Sequence, residues 1–226
     1  MQNRQHKLKL VRTAAAKMAR RQNMKKLSLV MACSLSLILM GCSEPAPQKE
    51  PEKAAEAIGG ESALYKMYQV ARAAWSADAQ VLSLNSIHLP EVPAIPGKAG
   101  AWQAVFTSDQ LGRSRTYTYS VVESQGNLHK GVFAGQEGAW TGKQGINTSF
   151  LIAAVKIESD AAYKTALENS ADYDKKNPGM TISVMLEKTP KFPSPAWRIV
   201  WGESVGTSAY SVYVDATTGD FLERMH

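Results

Sequence analysis

The chain has 226 residues, 44% of them hydrophobic, with 26 Lys or Arg against 20 Asp or Glu and a formal charge of +6. Nine of the basic residues and none of the acidic ones fall within residues 1–41, so the rest of the chain holds 17 basic against 20 acidic side chains and is mildly acidic. The charge that would draw a polyanion is confined to this leader, which excludes nucleic acid as a partner of the remaining residues.

The leader is patterned. Met24-Lys25-Lys26 supplies a positive segment, and residues 27–40 supply an apolar run too short to span a bilayer, which needs roughly twenty helical residues. That run ends in Leu39-Met40-Gly41-Cys42. The order of charge, apolar run, small residue and Cys resembles the signal peptide of bacterial lipoproteins. The resemblance implies cleavage between Gly41 and Cys42 and lipidation of Cys42, with the natural start at Met18 or Met24 as alternatives to Met1. A diacylglycerol and an amide-linked chain would hold the protein on a membrane at about 0.8 kcal/mol per buried methylene. Ser43 carries no acidic retention signal, so the periplasmic face of the outer membrane is expected in a Gram-negative host. The other cysteine, Cys33, lies inside the apolar run. The exported part therefore has no thiol for a disulfide, a metal or a nucleophile beyond the acylated one.

Residues 42–60 are rich in Pro, Glu and Lys without apolar periodicity, a composition that cannot bury enough surface to order itself, and are expected to form a disordered tether. Beyond it, Leu64, Met67, Tyr68, Ala71 and Trp75 fall at helical spacing on one face. Alternating or β-branched runs predict strands at 79–86, 102–108, 116–123 and 127–133. A Pro-rich surface loop is expected at 89–97. A second helix, N-capped by Ser159, is expected with Tyr163, Ala166 and Leu167 on its inner face, followed by strands at 181–188, 196–203, 209–215 and 221–224.

The two series repeat. Ala101-Trp102-Gln103-Ala104-Val105-Phe106 matches Ala196-Trp197-Arg198-Ile199-Val200-Trp201, and each is followed by a Tyr-led alternating run and a Gly, with Trp-to-Gly spacings of 24 and 22. Ser76-Ala77-Asp78 and Ser170-Ala171-Asp172 precede their Trp in nearly the same register. The expected fold class is α+β, two tandem units at 61–145 and 146–226, each a helix on a curved antiparallel sheet.

Near the C-terminus, Tyr213-Val214-Asp215-Ala216-Thr217-Thr218-Gly219-Asp220-Phe221-Leu222 resembles the terminal hairpin of PepSY-type domains. The match covers about the last third of the chain; the first repeat departs from it, with Val122-Glu123-Ser124-Gln125-Gly126-Asn127 at the corresponding turn. The resemblance implies a small non-catalytic module of exported proteins and protease propeptides, with an inhibitory or chaperoning role. Physically the motif is a turn: Asp215 can accept backbone amides, Thr218 favours the bend and Gly219 supplies positive φ. Asp215 and Asp220 alone do not make a calcium loop.

No catalytic or cofactor motif stands out, and no metal is expected. His88, His129 and His226 are isolated, and Trp75, Trp102, Trp197 and Trp201 fit the core stripes. Trp140 lies in the Gly-rich stretch 134–145, where it either staples the two halves or stays available to a partner. Asn147-Thr148-Ser149 matches a glycosylation acceptor by chance. The expected role is a membrane-anchored, non-enzymatic module that binds an extended segment of another exported protein at a sheet edge or an inter-unit groove. The alternative is a carrier of a small hydrophobic ligand in a cavity between helix and sheet.

Overall fold

Why the strands form is plain from their alternation: in the computed structural model, which describes residues 55–124 and 128–225, Trp102, Ala104 and Phe106 point to one side and Gln103 and Val105 to the other. The elements in chain order are β1 (Ile58–Gly59), α1 (Gly60–Ala74), β2 (Gln80–Ile87), β3 (Lys98–Ala99), β4 (Ala101–Ser108), β5 (Arg113–Ser120) and β6 (Gly131–Ala139). A 3-10 turn (Ile152–Ala154) leads to α2 (Ser159–Glu168), α3 (Ala171–Lys176), β7 (Ile182–Glu187), β8 (Ala196–Trp201), β9 (Ser211–Asp215) and β10 (Phe221–Met225). Gly41, Cys42 and the tether through residue 54 lie outside the described residues, as do Gly126, Asn127 and His226.

Eight strands make a single antiparallel sheet in the order β10-β9-β8-β7-β2-β4-β5-β6. Two meanders, β2-β4-β5-β6 and β7-β8-β9-β10, are thus joined through their first strands, and the stretches expected as separate halves at 61–145 and 146–226 meet in this sheet. The described residues form one compact unit. The central seam is short: β2 and β7 pair only at Ser83–Glu187, Leu84–Leu186 and Asn85–Met185.

The buried stripe of α1, namely Ala63, Leu64, Met67 and Ala71, shares one hydrophobic core with Trp102, Ala104, Phe106 and Tyr117 of the sheet. Ala162 and Ala166 of α2 join the same core beside Trp197, Ile199, Trp201 and Val212. The two central tryptophans are used alike. Trp102 Nε1 donates to Ile58 O (3.0 Å) just before α1, and Trp197 Nε1 donates to Ile157 O (2.8 Å) just before α2. Both rings close on Gly60, where an added Cβ would lie 2.8 Å from one and 2.9 Å from the other.

The helix starts also meet. Ser159 is not the cap of α2 but its first residue; Glu158 takes the cap position, its carboxylate accepting from Ser159 N (2.8 Å). The same carboxylate accepts from Glu61 N (2.7 Å) and Ser62 N (3.2 Å), so it serves the N-terminus of α1 as well, where a negative charge is favoured by the helix dipole. Burial, and secondarily the neighbouring Glu158, push the Glu61 carboxyl above its ordinary range. Ser159 Oγ accepts from Gly60 N (2.7 Å) and donates to Gly97 O (2.5 Å). Glu158→Ala removes both caps at once and is expected to cost about 2 kcal/mol, each lost cap contributing roughly 1. Urea unfolding monitored by tryptophan fluorescence checks it, and a loss below about 0.5 kcal/mol would refute the double role.

At the other end of α1, Asp78 accepts from Ser76 Oγ (2.6 Å), Ser108 Oγ (2.6 Å) and Gln110 N (3.0 Å), linking the helix exit to the β4–β5 hairpin. The Ser108 and Ser76 hydroxyls hold its carboxyl down at about 2. A depressed carboxylate contributes stability above its unfolded value near 4 and loses it as pH falls towards 2. Acid titration of the unfolding midpoint should therefore be shallower across this window in Asp78→Asn than in the natural chain.

Candidate functional site

A concavity forms where the Pro-rich loop 89–97 of the first meander faces the start of β7. Pro96 and Gly97 occupy the middle of a tight turn, with Lys98 N donating to Ile95 O (2.9 Å) and Gly97 at φ +80°. Glycine is required there twice over, since a Cβ would lie 2.6 Å from the Asp160 backbone. Ser159 Oγ on Gly97 O and the Lys98–Asp160 ion pair (3.4 Å) fasten the loop to the start of α2. Leu89, Val92 and Ala101 form a small second core beneath it, against Ala55, Ala57, Val121 and Leu128.

The result is a cleft of about 720 Å³. One wall carries Pro90, Pro93, Ile95 and Pro96; the other carries Met180, Thr181 and Ile182. Ile95 is 43% exposed and Met180 37%, so apolar surface faces solvent from both sides. The floor is the upper arm of the β2–β7 seam. There Val184 N bonds to Ser86 Oγ (2.9 Å), and His88 Nε2 donates to Ile182 O (3.0 Å), the carbonyl being able only to accept. His88, Lys98 and Glu203 line the rim. Two of these three are occupied elsewhere: His88 with a carbonyl, Lys98 with Asp160. Among the described residues, no three His, Cys, Asp or Glu side chains are placed to share a metal ion. The arrangement suits apolar contact and backbone hydrogen bonding.

Both outer strands are shielded against adventitious pairing. β6 carries a bulge opposite the step from Arg115 to Tyr117, and its Glu137 is held by Arg115 (3.7 Å) and Trp75 Nε1 (3.0 Å). β10 is short and bears Glu223 and Arg224.

Trp140 requires a correction. It neither staples the halves nor stands free, because it is 8% exposed and its polar contacts both lie on the β4–β5 turn: Nε1 donates to Asp109 Oδ1 (2.8 Å) and the backbone N to Gly112 O (3.0 Å). Neighbouring β6 continues through Ala139, so much of the Gly-rich stretch 134–145 is strand. The Asp215 turn is closed by its own side chain. Oδ1 accepts from Thr217 N (2.7 Å) and Thr218 N (3.0 Å), Gly219 N donates to Asp215 O (2.9 Å), and Gly219 has φ +83°. Thr165 Oγ1 of α2 donates to Gly219 O (3.1 Å), which fixes the turn to the helix. In the first meander Glu123 plays a comparable part, accepting from Lys130 N (2.9 Å) and bonding His129 Nδ1 (2.6 Å); these two partners hold its carboxyl below the usual range.

Sequence reasoning passed over Ser86 and Glu158. A signal existed for the loop, since the matching crossing of the second meander, 188–195, also carries three prolines, Pro190, Pro193 and Pro195.

No family model matches the chain, and no curated protein matches it. Among solved structures, a Clostridium difficile 630 protein described as a candidate lipoprotein is similar with a TM-score of 0.45 and 12% identity, covering 73% of this chain and 93% of that one. At that level nothing about this protein's role rests on the likeness.

Proposed function

We propose that the chain is a lipid-anchored envelope protein, built of two tandem PepSY-like units fused through one sheet, that holds an extended polypeptide segment of another exported protein without transforming it. The observation that carries the reading is the cleft, where a rigid Pro-lined wall and exposed Ile95 and Met180 converge on strand edges. Support for the anchor comes from residues 24–42, and for the PepSY-like units from residues 213–222 and the matched Trp102 and Trp197 bonds. Prolines stiffen the wall before any ligand arrives, so little ordering entropy is lost on binding.

Selection of a random displayed peptide library on the full-length chain in detergent tests the reading. Recovered peptides should share an extended, apolar consensus, and Ile95→Asp should weaken their binding about tenfold, the effect of losing roughly 1.4 kcal/mol of apolar contact. Failure to enrich a consensus, or one indifferent to Ile95→Asp, would sink it. The carrier alternative needs space between helix and sheet, and that interface is filled by Leu64, Met67, Trp102, Phe106, Trp197 and Trp201, all fully buried.

A further inference from the structure

The two ends of the central seam are treated differently. Under the match of Trp102 to Trp197, which stand opposite Ser86 and Leu186 respectively, Asn85 corresponds to Met185 and His88 to Lys188. The seam therefore has a local two-fold relation centred near the Asn85–Met185 pair, and its upper and lower ends are counterparts. At the lower end the gap between β2 and β7 is filled by the chain itself. Val81 and Phe150 exchange both backbone bonds (N to O 2.9 and 2.8 Å), and Thr148 N donates to Lys188 O (3.0 Å). Asn147 Nδ2 bonds Glu187 Oε2 (3.1 Å), and the Phe150 side chain is 4% exposed in the main core. Residues 147–150 thus lie as an extended wedge between the two central strands.

At the upper end no chain segment fills the equivalent gap among the described residues. Ser86 Oγ and His88 Nε2 occupy Val184 N and Ile182 O, positions that backbone groups of an inserted strand would take. Ile95 and Met180 stand exposed over that gap.

We propose that the partner segment enters as an inserted strand between the upper arms of β2 and β7, an extended polypeptide carrying one large apolar anchor, in the manner of residues 147–150 at the lower end. Its backbone bonds to Ser86–His88 on one side and to Thr181–Val184 on the other. His88 acts as a latch that is displaced from Ile182 O. The apolar anchor of the segment packs beneath Ile95 and Met180. This rests on the peptide-binding reading and adds the geometry of binding.

The probe is a fluorescently labelled synthetic peptide with the sequence of residues 144–152, added to the full-length chain in detergent micelles. Anisotropy reads binding, and amide hydrogen exchange reads location. The expected result is exchange slowed at least tenfold at 86–88 and 181–184, with 131–139 and 221–225 unchanged. His88→Ala should tighten binding by roughly two- to tenfold, because one hydrogen bond no longer has to be broken. Exchanging the Phe of the peptide for Asp should abolish binding. Protection on 131–139 or 221–225 instead, or weaker binding in His88→Ala, overturns insertion while leaving peptide binding standing. No binding of this probe also overturns insertion, whereas the peptide-binding reading falls only if the library selection yields no Ile95-dependent consensus.

Discussion

Trp197→Ala is expected to lower the unfolding free energy by about 4 kcal/mol, a large fraction of the roughly 5–15 kcal/mol that holds an ordinary domain folded. Three losses combine. The ring is fully buried beside Ile199 and Val214 in the main core, so its removal leaves a cavity as well as losing the transfer free energy. Its Nε1 no longer satisfies Ile157 O, leaving a carbonyl at the entry to α2 without that partner. Its far edge no longer closes on Gly60, where the helix starts, Trp197 and Trp102 meet. Urea unfolding measures the change, and Trp197→Phe should recover part of the packing but not the hydrogen bond. A loss under 1.5 kcal/mol would mean the junction is held elsewhere, since roughly 3–5 kcal/mol is usual for such a truncation.

Cys42→Ala should abolish lipid attachment outright. In cells fed labelled palmitate, label is expected in the natural chain and absent from the variant, whereas Cys33→Ala should label normally because that thiol lies in the apolar run of the leader. The effect is all-or-none for a physical reason. Acyl chains bind the bilayer methylene by methylene at about 0.8 kcal/mol each, and a chain that never receives them loses the whole sum rather than a fraction. Label retained in Cys42→Ala would remove the anchor from the proposed function while leaving the cleft untouched.

The cleft and the folding core respond to different substitutions, which lets the proposals be judged separately. Ile95 is exposed and contacts solvent, so Ile95→Asp should alter peptide binding with little change in stability; surface substitutions are usually within about 0.5 kcal/mol. Trp197 and Glu158 should behave in the opposite way.

Local pattern carried a large share of this fold. The 3–4 spacing of Leu64, Met67 and Ala71 placed α1, and alternation in 101–108, 113–120 and 182–187 placed strands within a few residues of their bounds, because the period of buried side chains is a property of the backbone and needs no distant partner. The Asp215 turn was legible for the same reason, its bonds spanning only a few residues.

Contacts across long stretches of chain left no such trace. Glu158 caps a helix that begins almost a hundred residues earlier, Trp140 folds back to Asp109, and Phe150 joins Val81 through a backbone pairing indifferent to side-chain type. The amino-acid sequence by itself determined the two main helices and most of the long strands, though not β1, β3, α3 or the bounds of β6, together with the duplicated Trp-led pattern and a chain free of thiols after Cys42. Only the tertiary structure decided that both meanders share one sheet through three residue pairs and that, among the described residues, one end of this seam is plugged by a chain segment while the other is bridged only by the Ser86 and His88 side chains. Periodicity records which face of a segment is buried; it does not record which distant edge that segment will meet.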